Sequence, residues 1–541
     1  MRNKWLARGG VLLLALTLVL SACSGGNKSN GGSGGSGSGA SAGAGSGSGN
    51  AGGGGSAEPQ KLVFGLSGEP STMDPLIQNG TVGRTIKLNL YRGLFNYDEN
   101  GELSNELAES YDVSDDHLTY TFTLRDAKFH NGDPVTAEDV KFTFERILDP
   151  ANGATFINEL SVIESISTEG DKKVIFKLKE PYAPFVHYLA LPESVIVQKS
   201  WVEAGHDFNE EPNGAGPFKY VKWTKGQDYV VAKFEDYYKE GKPQLDEIRF
   251  VFYPDDNTRV NAIRAGDVDI IDYVPWKDAG LIEADGNLKL DSQGGPYMAL
   301  QFNTKFEPFS NPKVRQALAY AIDRSAVINT AFNGRGEPIW GMAIPEGYLG
   351  YNEKYANYFE HDIEKAKQLL AEAGYPNGFK ARLLATSQYS FHQNTAVAVA
   401  AELEKIGIEV ELDLPDWATR INKNMEGDYD FLVVGTSGDI TDADWLSNFY
   451  LSGEVRLNNS AYFGDAEIDR LLAEGRRELD EAKRQQIYEQ LSARAMELSP
   501  FVYLLWREQS FGMKSNLQGF KNMPGFLSFQ SGITLENAYF E

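Results

Sequence analysis

The sequence predicts an α/β fold divided among two or three domains, and three observations predict it. Helical stripes alternate with short buried strands through the second half of the chain, the pattern of a mostly parallel sheet covered by helices. About 480 residues follow a Gly- and Ser-rich stretch, more than one ordinary core accommodates. Residues 107–147 set out a strand, a turn and an amphipathic helix in direct succession.

In that last stretch Leu118, Tyr120, Phe122 and Leu124 share one face of a strand, with Thr119, Thr121 and Thr123 on the other. Asn131-Gly132 supplies a turn. Thr136 opens a helix, and its spacing to Glu138 and Asp139 resembles a capping box with acidic groups at the positive end of the helix dipole. Val140, Phe144, Ile147 and Leu148 form the buried stripe. Elsewhere alternation and apolar runs predict strands at 61–66, 173–178, 218–223, 229–234, 248–252, 297–303, 408–412, 431–434 and 501–506. Helices are predicted at 258–265, from Asn311-Pro312 onward, at 362–373 with Gly374 as its stop, and at 394–406, 465–479 and 481–498.

The front of the chain is of another kind. Residues 1–22 have a basic start (Arg2, Lys4, Arg8) and an apolar run too short to span a bilayer, the form of a secretion signal. Leu20-Ser21-Ala22-Cys23 looks like a lipobox, which implies a lipid on Cys23; an ordinary signal with an incidental cysteine is the alternative. Residues 23–57 then form a tether of Gly, Ser, Ala and Asn, unable to bury apolar surface. The G-x-S-x-G at Gly31 and the G-x-G-x-x-G at Gly47 fall inside this tether, at no strand-to-helix junction, and are compositional accidents.

A net charge of −25 argues against a nucleic-acid partner and against attraction to anionic lipid, so membrane association is expected through the lipid alone. One cysteine excludes a disulfide framework. The six histidines are scattered without H-E-x-x-H, no Walker motif is present, and 76 carboxylates carry no signal as pairs. No enzymatic activity, metal or cofactor is expected.

Two long words carry a resemblance: YTFTLRDAKFHNGDPVTAEDVKFTFERI from Tyr120 and VRQALAYAIDRSAVI from Val314, with shorter ones at Tyr91-Arg92-Gly93-Leu94-Phe95, Asn213-Gly214-Ala215-Gly216-Pro217-Phe218 and Gly266-Asp267-Val268-Asp269. They resemble the bacterial extracellular solute-binding proteins of family 5, the oligopeptide, dipeptide and nickel class. The resemblance implies a periplasmic-binding-protein-like type II fold, two lobes in three domains around a hinged cleft. Domain I would comprise 58–92, 213–296 and 507–541, domain II 93–212 and domain III 297–506. It further implies a monomer, lipid-anchored at the extracellular face of the membrane, that binds peptides and hands them to an ABC transporter permease. Arg92, Ala215 and Ala443 depart from the family's usual residues.

In peptide-binding relatives an aspartate of a Gly-Asp word pairs with the ligand's α-ammonium. Gly438-Asp439 matches that word, making Asp439 the expected anchor, with Asp442 in reserve. The alternative is that Asp439 caps a turn or a helix. Asn79, Gly80 and Thr81 lie in the segment that would offer backbone to the ligand. Trp276, Trp417 and Trp445 are expected as pocket walls, the alternative for each being core. Residues 388–401 contain no arginine to fix a ligand carboxylate, which favours longer or unselective peptides. The same fold takes nickel chelates, for which His392 would be the nearest imidazole, or oligosaccharides. A secreted peptidase and a surface lipoprotein with a vestigial cleft are readings of a different class.

Overall fold

The computed structural model describes residues 59–541 except 79, 454, 456 and 457. The signal, Cys23, the tether and Asn79 therefore lie outside the described residues.

Two long strands organise the rest. Leu288–Phe302 and Phe501–Lys514 pair antiparallel along nearly their whole lengths and change partners on the way. At one end Tyr297 to Phe302 also pairs with Phe431–Thr436, beyond which lie Lys380–Leu384 and Glu409–Asp413. At the other end Phe511 to Met513 pairs with Ile270–Asp272, followed by Lys61–Leu66, Glu247–Phe252, Asp228–Lys233 and Phe218–Thr224. One continuous 11-stranded sheet thus runs through two lobes, and the two long strands are the crossing between them. Their pairing slips between Gly294 and Tyr297, where the crossing bends.

The sheet is mixed rather than mostly parallel. Lys380–Leu384 runs parallel to both neighbours, as does Lys61–Leu66, but both crossing strands enforce antiparallel pairs. The crossing is also far longer than the apolar runs 297–303 and 501–506. Polar residues extend it because they pair backbone to backbone, which apolar patterning does not report.

A separate four-stranded antiparallel sheet, in the order Ala108–Val113, Thr119–Leu124, Lys173–Leu178, Ile163–Glu169, is covered by the helix Ala137–Leu148. The capping box is present: Asp139 N–H donates to Thr136 Oγ1 and Thr136 N–H donates back to Asp139. Val140, Phe144 and Ile147 are buried, and Leu148 is half-buried. Arg92 is fully buried and donates to Glu536 at 2.7 Å and to the Tyr237 hydroxyl, so the departure at that position brings its own partners.

The helix Gly80–Leu90 has no counterpart among the predicted elements. Its residues from Thr81 to Leu90 are all buried, so it has no solvent face to give an amphipathic period. The helix predicted at 394–406 starts a turn earlier, as Ser390–Glu404, and takes in His392. Among the described residues no helix is long and apolar enough to cross a membrane.

Candidate functional site

The lobes meet where Ile270–Asp272 ends on one side and where Lys380–Leu384 and Phe431–Thr436 end on the other. Tyr273, Trp276, Asp256 and Arg259 from one lobe face Tyr389 and Phe391 from the other across a narrow cavity of about 20 Å³, which Glu508 also lines. Tyr273 and Phe391 stack with centroids 6.1 Å apart and planes within 10°. Trp276 meets Phe391 edge-on. A wider, polar, solvent-open groove of about 370 Å³ adjoins it, lined by Asn257, Lys277, Gln388 and Gln393 among others.

Tyr273 is held at φ +46°, in the left-handed region that a bulky residue avoids at a cost of about 1 kcal/mol or more. Its surroundings over-determine it. Arg259, itself buried, donates to the carbonyls of Asp272, Tyr273 and Tyr253 and pairs with Asp256 at 2.7 Å. The Tyr273 hydroxyl meets Thr81 Oγ1 at 3.0 Å.

Behind the stacked rings stands Arg507, on the crossing strand Phe501–Lys514 and 1% exposed. Its guanidinium lies over Phe391 at 4.9 Å, Phe529 at 5.4 Å and Tyr273 at 5.6 Å. Nη1 donates to Gln509 Oε1 at 3.1 Å, while Nε has no partner. Among the described residues no ion pair joins it to a carboxylate, and Glu508, beside it in the strand, pairs with Arg335 instead. Burial lowers its pKa, the Tyr273 hydroxyl opposing. Cation–π contacts stabilise such a group only partly, so a buried guanidinium without a carboxylate partner lies behind the cavity wall. Gln509 Nε2 beside it is buried and unpartnered, as is Trp276 Nε1 in the cavity wall.

The expected site residues divide. Asp439 is 9% exposed where the lobes touch, and its carboxylate is already paired. Arg84, reaching across from the helix Gly80–Leu90, holds Oδ1 at 2.9 Å, and Gln78 donates to the same oxygen at 3.1 Å. Burial pushes the Asp439 carboxyl up, Arg84 pulls it back and Glu193 pushes it up further. The Asp439 carboxylate is thus paired within the protein. Asp442 is paired as well. It caps the short helix Ala443–Leu446 and is gripped by both Nη atoms of Arg484 at 2.7 and 2.8 Å. Burial would raise its carboxyl, but Arg484 more than offsets this and holds it low.

Gly438 is explained by packing: a Cβ there would run into the Phe526 ring. Gly80 begins its helix at φ +78° and is exposed, and Thr81 reaches Tyr273 with its side chain rather than offering backbone. Trp445 is core, 2% exposed among Tyr297, Phe449 and Phe526. Trp276 lines the cavity. Trp417 is half-buried, edge-on to Tyr389 and His392. His392 is buried between Phe391 and Trp417, and burial with Arg420 and Arg507 nearby holds it well below its ordinary pKa, an environment that favours the neutral imidazole.

Sequence reading missed Arg507, Tyr273, Phe391 and Arg84. One signal for Arg507 existed: a charged residue within an apolar strand. Ending the strand at Trp506 placed Arg507 just outside it.

With this geometry in hand, similarity to known proteins is informative. The family model for the middle of bacterial extracellular solute-binding proteins, family 5, matches residues 102–457. The glutathione-binding protein GsiB of Escherichia coli O1:K1 / APEC is 31% identical over 490 residues, covering 88% of this chain and 94% of its own. The structure of the periplasmic binding protein AgaA of A. tumefaciens R10, in complex with agropinic acid, is 59% identical and superposes with a TM-score of 0.85, covering 89% of this chain and 99% of AgaA. DppA of Helicobacter pylori, in complex with the peptide STSA, is 27% identical with a TM-score of 0.81, covering 89% and 98%. The fold they share is the two-lobed type II binding-protein fold, and these relatives are named for binding rather than for catalysis.

Proposed function

Since the chain belongs to the bacterial extracellular solute-binding proteins, family 5, whose members serve ABC importers, we propose that its cleft takes a small carboxylate-bearing solute, with agropinic acid or a close analogue as the first ligand to try. The observation that carries this is Arg507. A buried guanidinium with three aromatic rings around it and no carboxylate partner is unfavourable on its own and becomes favourable when a ligand brings the counter-charge. Tyr273 and Phe391 give the same ligand an apolar surface, and lobe closure shields the pair from water. AgaA, 59% identical, is complexed with an acid, which supports the reading. Delivery is to a membrane permease, and a lipid on Cys23 would keep the protein at the outer face of the membrane.

A peptide is the second reading. GsiB, at 31% identity, is named for binding glutathione and DppA is in complex with a peptide, and Asp439 lies where the lobes touch. The pairing of Asp439 with Arg84 weighs against it.

Isothermal titration with agropinic acid, glutathione and Ser-Thr-Ser-Ala tests the choice. Arg507→Gln is expected to weaken binding of the acid by about 2 kcal/mol or more, roughly 30-fold, because a buried charge-assisted pair is lost. Without ligand the same variant should unfold at an equal or higher temperature, since an uncompensated buried charge is removed. Undiminished affinity in Arg507→Gln would remove this residue from recognition.

A further inference from the structure

Arg84 does more than neutralise one carboxylate. It projects from the helix Gly80–Leu90 in one lobe. Its Nε and Nη2 grip both oxygens of Glu193 at 2.9 Å, and Nη2 also reaches Asp439 Oδ1 in the other lobe at 2.9 Å. All three side chains are nearly inaccessible to solvent, at 4%, 5% and 12% exposure. Gln530 fixes the Asp439 backbone, donating to its carbonyl at 3.0 Å, and Lys87 donates to the carbonyls of Asp74 and Ile77. One guanidinium therefore stands between two carboxylates here and binds both.

A ligand ammonium arriving at Asp439 would have to share the carboxylate with a guanidinium about 3 Å away, in a site that screens poorly. Displacing Arg84 would break a buried pair, which is strongly unfavourable. We propose that Arg84 is the specificity-determining residue that makes this site reject ligands carrying a free ammonium near their acid group and select acids whose nitrogen is acylated, cyclised or absent. This rests on the reading of the cleft as an acid site centred on Arg507. It adds that discrimination comes from a residue of the opposite lobe, so the selection is made only as the lobes close.

The experiment is the affinity ratio of N-acetylglutathione to glutathione, two acids differing in the ammonium, for the full chain and its variants by titration calorimetry. Arg84→Gln frees Asp439 and is expected to move the ratio towards glutathione by about tenfold or more. Arg84→Lys keeps a cation and is expected to leave it within about threefold. A ratio that Arg84→Gln does not move, absence of binding of both probes in both proteins included, overturns the proposal. Should Arg84→Gln not fold, Asp439→Asn decides. Glutathione affinity should then hold, whereas a fall of about tenfold would mean that Asp439 receives the ligand's ammonium after all, and that too overturns it. Arg507→Gln separates the two readings: if it leaves acid binding intact the acid site fails, and if it abolishes binding while the Arg84 ratio stays fixed only the selectivity proposal fails.

Discussion

At Glu536 a single carboxylate accepts from Arg92 at 2.7 Å, Lys239 at 2.9 Å and the Tyr237 hydroxyl at 2.8 Å. Burial alone would raise its pKa, but Arg92 and Lys239 together pull it from 4.5 down to about 2. The folded-state value lies below the unfolded one. The resulting stability is therefore fully present above about pH 4.5 and is lost as pH falls from there through about 2, on the order of 3 kcal/mol in all. Glu536→Gln should lower the unfolding temperature at neutral pH and flatten its decline over that acid range. Parallel curves for variant and parent would show that other carboxylates govern acid unfolding. Arg92 was legible as a departure from its family's usual residue, but not its partner. Glu536 stands 444 positions away, and only the tertiary fold brings the two charges together.

Among elements, the helix Ala137–Leu148 was readable almost residue by residue, because its start is written in local chemistry. Thr136 and Asp139 satisfy each other's backbone N–H groups, and Asp139 also accepts from Lys199 N–H at 2.9 Å. Thr136→Ala is expected to cost about 1 kcal/mol in a urea unfolding series, with the binding of any ligand unchanged. A loss below about 0.3 kcal/mol would mean that Asp139 alone caps the helix. The crossing strands and the helix Gly80–Leu90 were legible in part or not at all, for opposite reasons. The former carry polar residues such as Ser292 and Gln293 through a fully paired sheet, and the latter is buried on every side. Both break the tie between side-chain pattern and secondary structure on which periodicity depends.

At the scale of the molecule the lobes touch through the Tyr273–Phe391 stack, the Arg84–Asp439 ion pair and a set of hydrogen bonds. Tyr188 from the region of the four-stranded sheet donates to Asp444 Oδ2 at 2.7 Å, and Arg476 Nε holds the other oxygen of Asp444 at 2.8 Å. Ala183 N–H donates to the Arg476 carbonyl, and Ser390 donates to Asp256 at 2.9 Å across the cleft. Hydrogen bonds of this kind are worth about 1 kcal/mol each, so any one of them is a small bias on how the lobes sit. Tyr188→Phe removes one of them without removing the Arg476 partner of Asp444. It is expected to raise the radius of gyration of the ligand-free protein in small-angle scattering and to weaken ligand binding about fivefold. Unchanged scattering and affinity together would show that this contact does not bias the lobes.

The family, the type II α/β fold and the strand, turn and helix of residues 107–147 were determined by the sequence itself, because contiguous words and local caps carry them. The charge balance of the cleft was decided only by the tertiary structure. Asp439 is fixed in sequence, but whether it faces a ligand or a guanidinium depends on Arg84, 355 positions away and in the other lobe. Arg507 reads as one charge among many until folding buries it without a carboxylate partner. A carboxylate or a guanidinium has no set role along the chain; burial and the nearest opposite charge assign one, and both are properties of the folded molecule.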